Sequence, residues 1–386
     1  TRAPAGRSGW TGPRSRYWQA ARRNKTREDR MLKGLFTKKP PLAVAITSHA
    51  LRFEMARGKT LLEAAQDAGI GFPCDCKVGT CGTCRYRLDE GTISELKPSA
   101  AVLGAEELRA GWRLGCQSMP RTDLSIFLPG LVSEIGPPPS LFEGRIAGIT
   151  PLTQDIVELR LQLNRRLTFV AGQYADLSVD EVEGPRSYSF AASPENESTD
   201  QPCFHVRKVP GGAFTGWLFG GDRSGAHLML RGPLGSFRLR KGESPIVCVG
   251  GGSGLAPLKC ILEQALRQGC TRPVTLLYGA RTQADLFCLE EIAAIGRNWA
   301  GPFRFLPALS LEPAESAWTG ARGLVADLLP AQENLPAAQA YLCGPPPMVD
   351  AAEALLLRHG VAAESIFADR FFDRSRPASP GRGVQS

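Results

Sequence analysis

The chain has 386 residues, 43% of them hydrophobic and 22% charged, with a formal net charge of +8. That is enough chain for two or three domains with cores of their own, and no run of 18 apolar residues offers a membrane-spanning helix. The charge does not make a nucleic-acid surface: residues 1–40 hold 12 Lys and Arg against only Glu28 and Asp29, and the rest of the chain balances at −2.

The basic tail, 1–40, lacks the apolar h-region of a secretory signal. Its Arg-rich start suits a mitochondrial presequence, but Gly6, Gly9, Gly12 and Pro13 interrupt a helix and Glu28-Asp29 breaks the acid-poor pattern. Residues 1–30 are expected to be disordered and foreign to the native chain.

Residues 41–130 predict a small mixed domain. Short strands are expected at 42–47 and 51–55. Thr60 through Glu63 is a capping box opening a helix that Gly69 closes. A strand follows at 84–88, a helix at 105–110 and a last strand at 123–128. This arrangement resembles the β-grasp ferredoxin fold. Within it, Cys76, Cys81 and Cys84 form a C-x4-C-x2-C run, and Cys116 comes after 31 further residues. The spacing matches the four thiolate ligands of a plant-type [2Fe–2S] cluster. Gly79 and Gly82 let the loop wrap tightly. Zinc sites more often pair C-x2-C units or use histidine, and none of the four histidines lies in this loop. Disulfide frameworks suit short secreted chains rather than one with 11 cysteines, an odd count. Cys74 falls outside the spacing and reads as a non-ligand.

Residues 131–141, with Pro137 to Pro139, read as a stiff linker. Residues 142–240 carry short strands at 144–149, 156–163, 174–179, 203–209 and 227–231 between Gly/Pro turns, the pattern of an antiparallel barrel; the fold expected is a six-stranded one, with one strand beyond these five. Residues 241–373 alternate strands (246–249, 274–278, 303–309, 340–343) with helices (256–267, 285–295, 346–358), which predicts a doubly wound parallel α/β sheet. Residues 374–386 are polar and expected to be disordered.

Two glycine segments suit phosphate binding. Gly250, Gly251, Gly252 and Gly254 lie where a strand gives way to a helix, so backbone N–H groups and a helix N-terminus can face a phosphate. The run departs from strict G-x-G-x-x-G. Gly211 and Gly212 with Thr215 offer a second, pyrophosphate-sized turn. Arg186-Ser187-Tyr188-Ser189 puts a phosphate-binding cation, a flat aromatic ring and a small hydroxyl in four residues; the plain alternative is a polar strand. Cys343 sits before Gly344-Pro345 at the carboxyl end of a strand, where open α/β sheets bind ligands. Cys203, Cys248, Cys260, Cys270 and Cys288 read as ordinary small hydrophobes.

Across residues 41–372 the segments FPCDCKVGTCGTCR, FVAGQY (169–174), RSYS, HVRKVPGGAFT (205–215), RGPLGSF (231–237), CVGGGSGLAP (248–257), YGAR (278–281), LCGPPPMV (342–349) and FADRFF (367–372) resemble, in order, the ferredoxin–NAD(P)+ reductase-like reductase components of bacterial oxygenases. The likeness is greatest to reductases of naphthalene and carbazole dioxygenase systems. The resemblance implies that Arg186, Ser187, Tyr188, Ser189, Val206, Arg207, Gly211, Gly212 and Thr215 hold FAD, with Ser189 near flavin N5. It implies that Gly250, Gly251, Gly252 and Gly254 hold the pyrophosphate of NADH and that Cys343 and Gly344 border the nicotinamide, Ser189 and Cys343 being catalytic. Phe371 or Phe372 would shield the flavin. Arg370 stands where such reductases often have a small residue.

The activity implied is NADH-dependent electron transfer, from NADH through FAD and the [2Fe–2S] cluster to a ferredoxin or to the oxygenase of a Rieske-type dioxygenase. A monooxygenase with a diiron centre is the alternative acceptor, and a non-turnover iron–sulfur sensor the distant one. Only Arg281 follows Tyr278 closely as a cation, which favours NADH over NADPH. A cytoplasmic monomer is expected, with no nucleic-acid partner and no membrane span.

Overall fold

The computed structural model describes residues 40–74, 79, 82–131 and 137–372. The expectations for the basic tail, for residues beyond 373, and for Cys76 and Cys81 lie outside the described residues.

Strands β1 (Leu42–Ile46) and β2 (Leu51–Met55) form an antiparallel hairpin. Helix α1 (Leu61–Asp67) starts on the predicted capping box: Glu63 N–H donates to Thr60 Oγ1 (3.2 Å) and Thr60 N–H donates to Glu63 Oε2 (2.9 Å). Next come β3 (Arg85–Glu90), β4 (Ile93–Glu95), the short helix α2 (Ala105–Arg109), β5 (Trp112–Leu114), β6 (Ser118–Pro120) and β7 (Leu124–Phe127). The main sheet has the order β2-β1-β7-β3-β5, and β7 runs parallel to β1 but antiparallel to β3. Ile46, Leu61, Tyr86, Leu114 and Ile126 are each fully buried where α1 crosses this sheet.

The second domain is built from β8 (Ser140–Pro151), β9 (Ile156–Leu163), the two-residue β10 (Leu167–Thr168), β11 (Tyr174–Ser178), β12 (Arg186–Ser189), the two-residue β13 (Ser198–Thr199), β14 (Cys203–Arg207), helix α3 (Ala213–Phe219) and β15 (His227–Leu234). The six long strands are antiparallel in the order β12-β11-β15-β8-β9-β14. A bridge from Phe190 to Phe204 nearly closes the ends into a barrel. The burial alternation of β9 is what a strand with one face on a barrel core gives. Strand β8 begins inside the expected linker and outruns its predicted bounds. Its polar ends hid it, and a bulge between Ile146 and Gly148 lets it bend around the barrel.

The third domain comprises β16 (Ile246–Gly251), α4 (Leu255–Arg267), β17 (Val274–Ala280), α5 (Leu289–Asn298), β18 (Phe303–Leu309), the short β19 (Ala321–Arg322), β20 (Gln339–Gly344), α6 (Pro346–Arg358) and β21 (Ile366–Arg370). The sheet is parallel, in the order β19-β18-β17-β16-β20-β21. Alternate residues of β16 serve opposite faces. Ile246 and Cys248 join a core continuous with the barrel, while Val247 and Val249 pack with Leu342, Val349 and Leu356 on the other side. Helix α5 starts four residues later than expected. Asp285 instead caps a 3₁₀ turn over Gln283–Asp285, and Cys288 takes a left-handed φ of 56° before the helix.

Candidate functional site

Two of the four candidate cluster ligands lie among the described residues. Cys84 and Cys116 flank the β3–β5 pairing, are 2% and 4% exposed, and are tied by the Gly115 N–H donating to Cys84 O (2.8 Å). The Gln117 side-chain amide donates to Cys116 Sγ (3.3 Å), a contact of the kind that tunes cluster thiolates. Gly79 has φ 77°, and a Cβ there would sit 2.6 Å from Gln117 Cγ. Two buried thiols, an amide donor and a loop glycine pressed against that donor fit a cluster that Cys84 and Cys116 would help to hold.

A second focus forms where the barrel meets the parallel sheet. Strand β20 is central, pairing Cys343 with Gly250 on β16 and with Asp369 on β21. From the barrel, Ser189 Oγ donates to Asp369 Oδ2 at 3.4 Å. The structure thus sets Gly250, Cys343 and Asp369 side by side on three strands and brings Ser189 to Asp369, a residue that sequence reasoning passed over although it lies in the quoted FADRFF run. A carboxylate amid apolar residues on a short strand was the available signal. Ser189 is 6% exposed and Cys343 fully buried. Burial, with Asp369 adding to it, pushes the Cys343 thiol well up, so it remains protonated. Tyr188 sits 5.4 Å from the Phe214 ring, and burial raises its phenol above the usual range, keeping a neutral aromatic at the site.

The nicotinamide-side glycines divide by cause. Gly252 has φ 55°, which favours glycine, and faces open space apart from Arg207 Nη1 at 4.0 Å from an added Cβ. Gly251 and Gly254 instead make room for the 343–348 segment. The turn opens onto α4, so its N–H groups suit a phosphate. Arg207 and Arg281 share the Asp155 carboxylate (3.3 and 3.1 Å), and Arg281 also pairs with Asp285. Burial works to raise Asp285, but Arg281 and the Thr282 N–H hold it below the usual carboxylate range. At the other glycine turn, Gly211 has φ 73° with nothing near its missing Cβ, while Thr215 Oγ1 donates to Val209 O (3.2 Å).

Other predicted residues stand apart. Arg186 curls back so that its guanidinium donates to the carbonyls of Glu183, Gly184 and Pro185 (3.1–3.2 Å). Ser187 Oγ donates to Asp176 (2.6 Å). The Val206 side chain lies in the barrel core, and the residue pairs with Val157 in the β14–β9 ladder. Phe371 is half-buried, its N–H donating to Gly344 O (2.9 Å), and Phe372 follows it. Arg370 reaches Asp350 (2.8 Å) and Glu353 on α6.

Three family models match in series: a 2Fe-2S iron-sulfur cluster binding domain over residues 44–121, an oxidoreductase FAD-binding domain over 143–239 and an oxidoreductase NAD-binding domain over 248–354. The chain is 45% identical over 343 residues to the xylene/toluene monooxygenase electron transfer component XylA of Pseudomonas putida, covering 89% of this chain and 97% of that protein. It is 34% identical to the reductase component of the naphthalene 1,2-dioxygenase system of Pseudomonas putida, covering 82% and 94%. Among solved structures it resembles the Amycolatopsis cytochrome P450 reductase GcoB (TM-score 0.77, 33% identity, 86% and 98% covered) and the ferredoxin reductase in carbazole 1,9a-dioxygenase (0.69, 31%, 86% and 98%). The FAD, NAD and 2Fe-2S domain matches agree with the cofactors read from the motifs. Among the described residues no helix is long and apolar enough to cross a membrane.

Proposed function

The chain belongs to the family of flavin- and iron–sulfur-dependent electron-transfer reductase components of oxygenase systems, and from that premise we propose how its residues carry the transfer and to which acceptor. When bound, FAD supplies the exchange between two-electron hydride chemistry and the one-electron chemistry of a [2Fe–2S] cluster. Gly252 and the backbone N–H groups of the 250–254 turn, with the start of α4, would hold the dinucleotide pyrophosphate, while Gly251 and Gly254 let the turn pack against the 343–348 segment. Ser189, held by Asp369, would present a hydroxyl to the reacting edge of the flavin. Tyr188 would lie against its ring, Arg207, Gly211, Gly212 and Thr215 would hold the remainder, and Arg186 could join them only if its guanidinium left the carbonyls of 183–185, Val206 only through its backbone. Cys343 and Gly344 border the nicotinamide, and Phe371 covers the site from the sheet edge. Cys76, Cys81, Cys84 and Cys116 hold the cluster. The convergence of Ser189, Cys343 and Asp369 from three strands carries this assignment.

NADH is the donor because Arg281, the one cation closely following Tyr278, is already paired with Asp155 and Asp285. The acceptor is the oxygenase component of a monooxygenase, since the 45% identity to the xylene/toluene system exceeds the 34% to the naphthalene dioxygenase system; delivery to a dioxygenase, directly or through a ferredoxin, is the second reading. The protein acts as a cytoplasmic monomer in this account, and light scattering of the purified protein tests the monomer. Cys81→Ser should keep flavin reduction by NADH and lose reduction of the oxygenase. Undiminished oxygenase reduction would refute the route.

A further inference from the structure

Two motifs have no role in the transfer as described: FVAGQY (169–174) and RGPLGSF (231–237). The fold brings them together. A Cβ on Gly172 would sit 2.5 Å from Phe237 O, and the Gln173 side-chain amide donates to Gly235 O (3.1 Å). Gly235 has φ 87°, and a Cβ there would sit 2.7 Å from Tyr174 Cε1, so the tyrosine ring lies over the glycine backbone. Tyr174 is 8% exposed and stands directly across from Ser189 in the β11–β12 ladder.

The outer side of this unit meets the cluster domain. Arg231 Nη2 bonds Asp67 Oδ1 at the end of α1 (2.5 Å), with Asp176 on its other side at 3.7 Å. Lys59 also pairs with Asp67. Ser236 Oγ donates to the Cys74 carbonyl (3.3 Å), and the Gln66 amide donates to Cys74 Sγ (3.1 Å). Cys74 lies two residues before Cys76 in sequence. Burial raises the Tyr174 phenol well above its ordinary range, with Cys74, Asp176 and Asp369 each adding to it. Tyr174 thus packs on Gly235, next to the Ser236 that reaches Cys74, and stands across the ladder from Ser189.

We propose that Arg231 and Ser236 form the seat that docks the cluster domain on the barrel, and that Tyr174 and Cys74 are positioning residues bridging the flavin site to the cluster. The bridge rests on the functional reading above; the seat does not. Each passage oxidises the flavin by one electron and reduces the cluster by one, and two passages clear the pair delivered by one hydride. Tyr174 keeps its proton and undergoes no net change. Its part is to fill the gap with a packed ring, since electron tunnelling weakens steeply across empty space.

A double-variant cycle tests the seat without any cofactor turnover. In Arg231→Gln and in Asp67→Asn, hydrogen exchange of peptides spanning 66–74 and 231–237 should quicken by up to about fivefold, the scale of a half-exposed ion pair. The double variant should be no faster than the quicker single. Stopped-flow absorbance then reads the bridge. Tyr174→Leu should slow cluster reduction severalfold while flavin bleaching by NADH keeps its rate, and Tyr174→Phe, which retains the ring, should match the parent. Additive exchange effects overturn the seat, and an unchanged cluster rate in Tyr174→Leu overturns the bridge. If the parent itself passes no electrons from NADH to the cluster, the functional reading and the bridge fall together, and the exchange cycle still decides the seat.

Discussion

Gly254→Ala separates space from conformation in the nucleotide loop. Gly254 has φ −64° and ψ −10°, which alanine adopts freely. An added Cβ would nevertheless sit 2.5 Å from the Cys343 carbonyl carbon and 2.8 Å from Gly344 Cα, and closer still to the Cys343 oxygen. All three obstacles are backbone, so β20 and the start of α4 must move apart. Overpacking of this kind costs about 1–3 kcal/mol, and fixed backbone places this case at the upper end, which lowers the melting temperature by roughly 6–12 °C for a domain of this size. Gly250→Ala is the control. Its nearest obstacle is Leu258 Cδ1 at 3.0 Å, the far end of a side chain that can turn away, so it should stay within about 1 kcal/mol of the parent. Differential scanning calorimetry of both variants, with KM for NADH, reads the outcome. A Gly254→Ala protein that melts with Gly250→Ala and keeps its KM would sink the claim that this glycine is there for close packing.

Ser189→Ala should slow flavin reduction by NADH about tenfold, the scale of one hydrogen bond to a charged partner, with the flavin still bound; an unchanged rate removes Ser189 from the hydride step. His205 is 4% exposed, and burial, with the Lys259 charge adding, lowers its pKa to about 3. The unfolded chain takes up that proton below about pH 6.5 and the folded chain does not, so stability is complete above pH 6.5 and falls as pH drops toward 3, by about 2 kcal/mol at pH 5. His205→Gln should flatten that part of the melting-temperature profile, and an equal slope in parent and variant would show that another group sets it. The neutralised Arg281 predicts a higher kcat/KM for NADH than for NADPH; equal values would contradict it.

Much of this architecture could be read from local pattern. The capping box at Thr60 and the strand–helix alternation after residue 246 each state a local geometry, and the described parts follow them. What escaped was long-range. Ser189 and Asp369 meet across 180 positions of sequence, and no periodicity encodes such a meeting. Strand β21 has five half-buried residues with no alternation to betray an edge strand. The start of α5 was misplaced because Leu286 and Phe287 carry helix-like spacing, whereas Cys288 turns left-handed after the Thr282–Asp285 turn. Arg186 and Val206 were chosen by motif, and motif position says nothing of a side chain's direction.

In the ferredoxin sheet, the middle strand is the last one to be synthesised. β7 lies between β1 and β3, yet it follows β1 by 80 positions in the Val44–Leu124 pairing. A nascent chain holds two separate edges, β1 with β2 and β3 with β5, until Leu124–Phe127 emerges. Cys116 precedes that strand by only eight positions. The last candidate ligand and the closing strand therefore emerge within one short window of translation, and a ribosome halted before Phe127 would present two open strand edges to its surroundings.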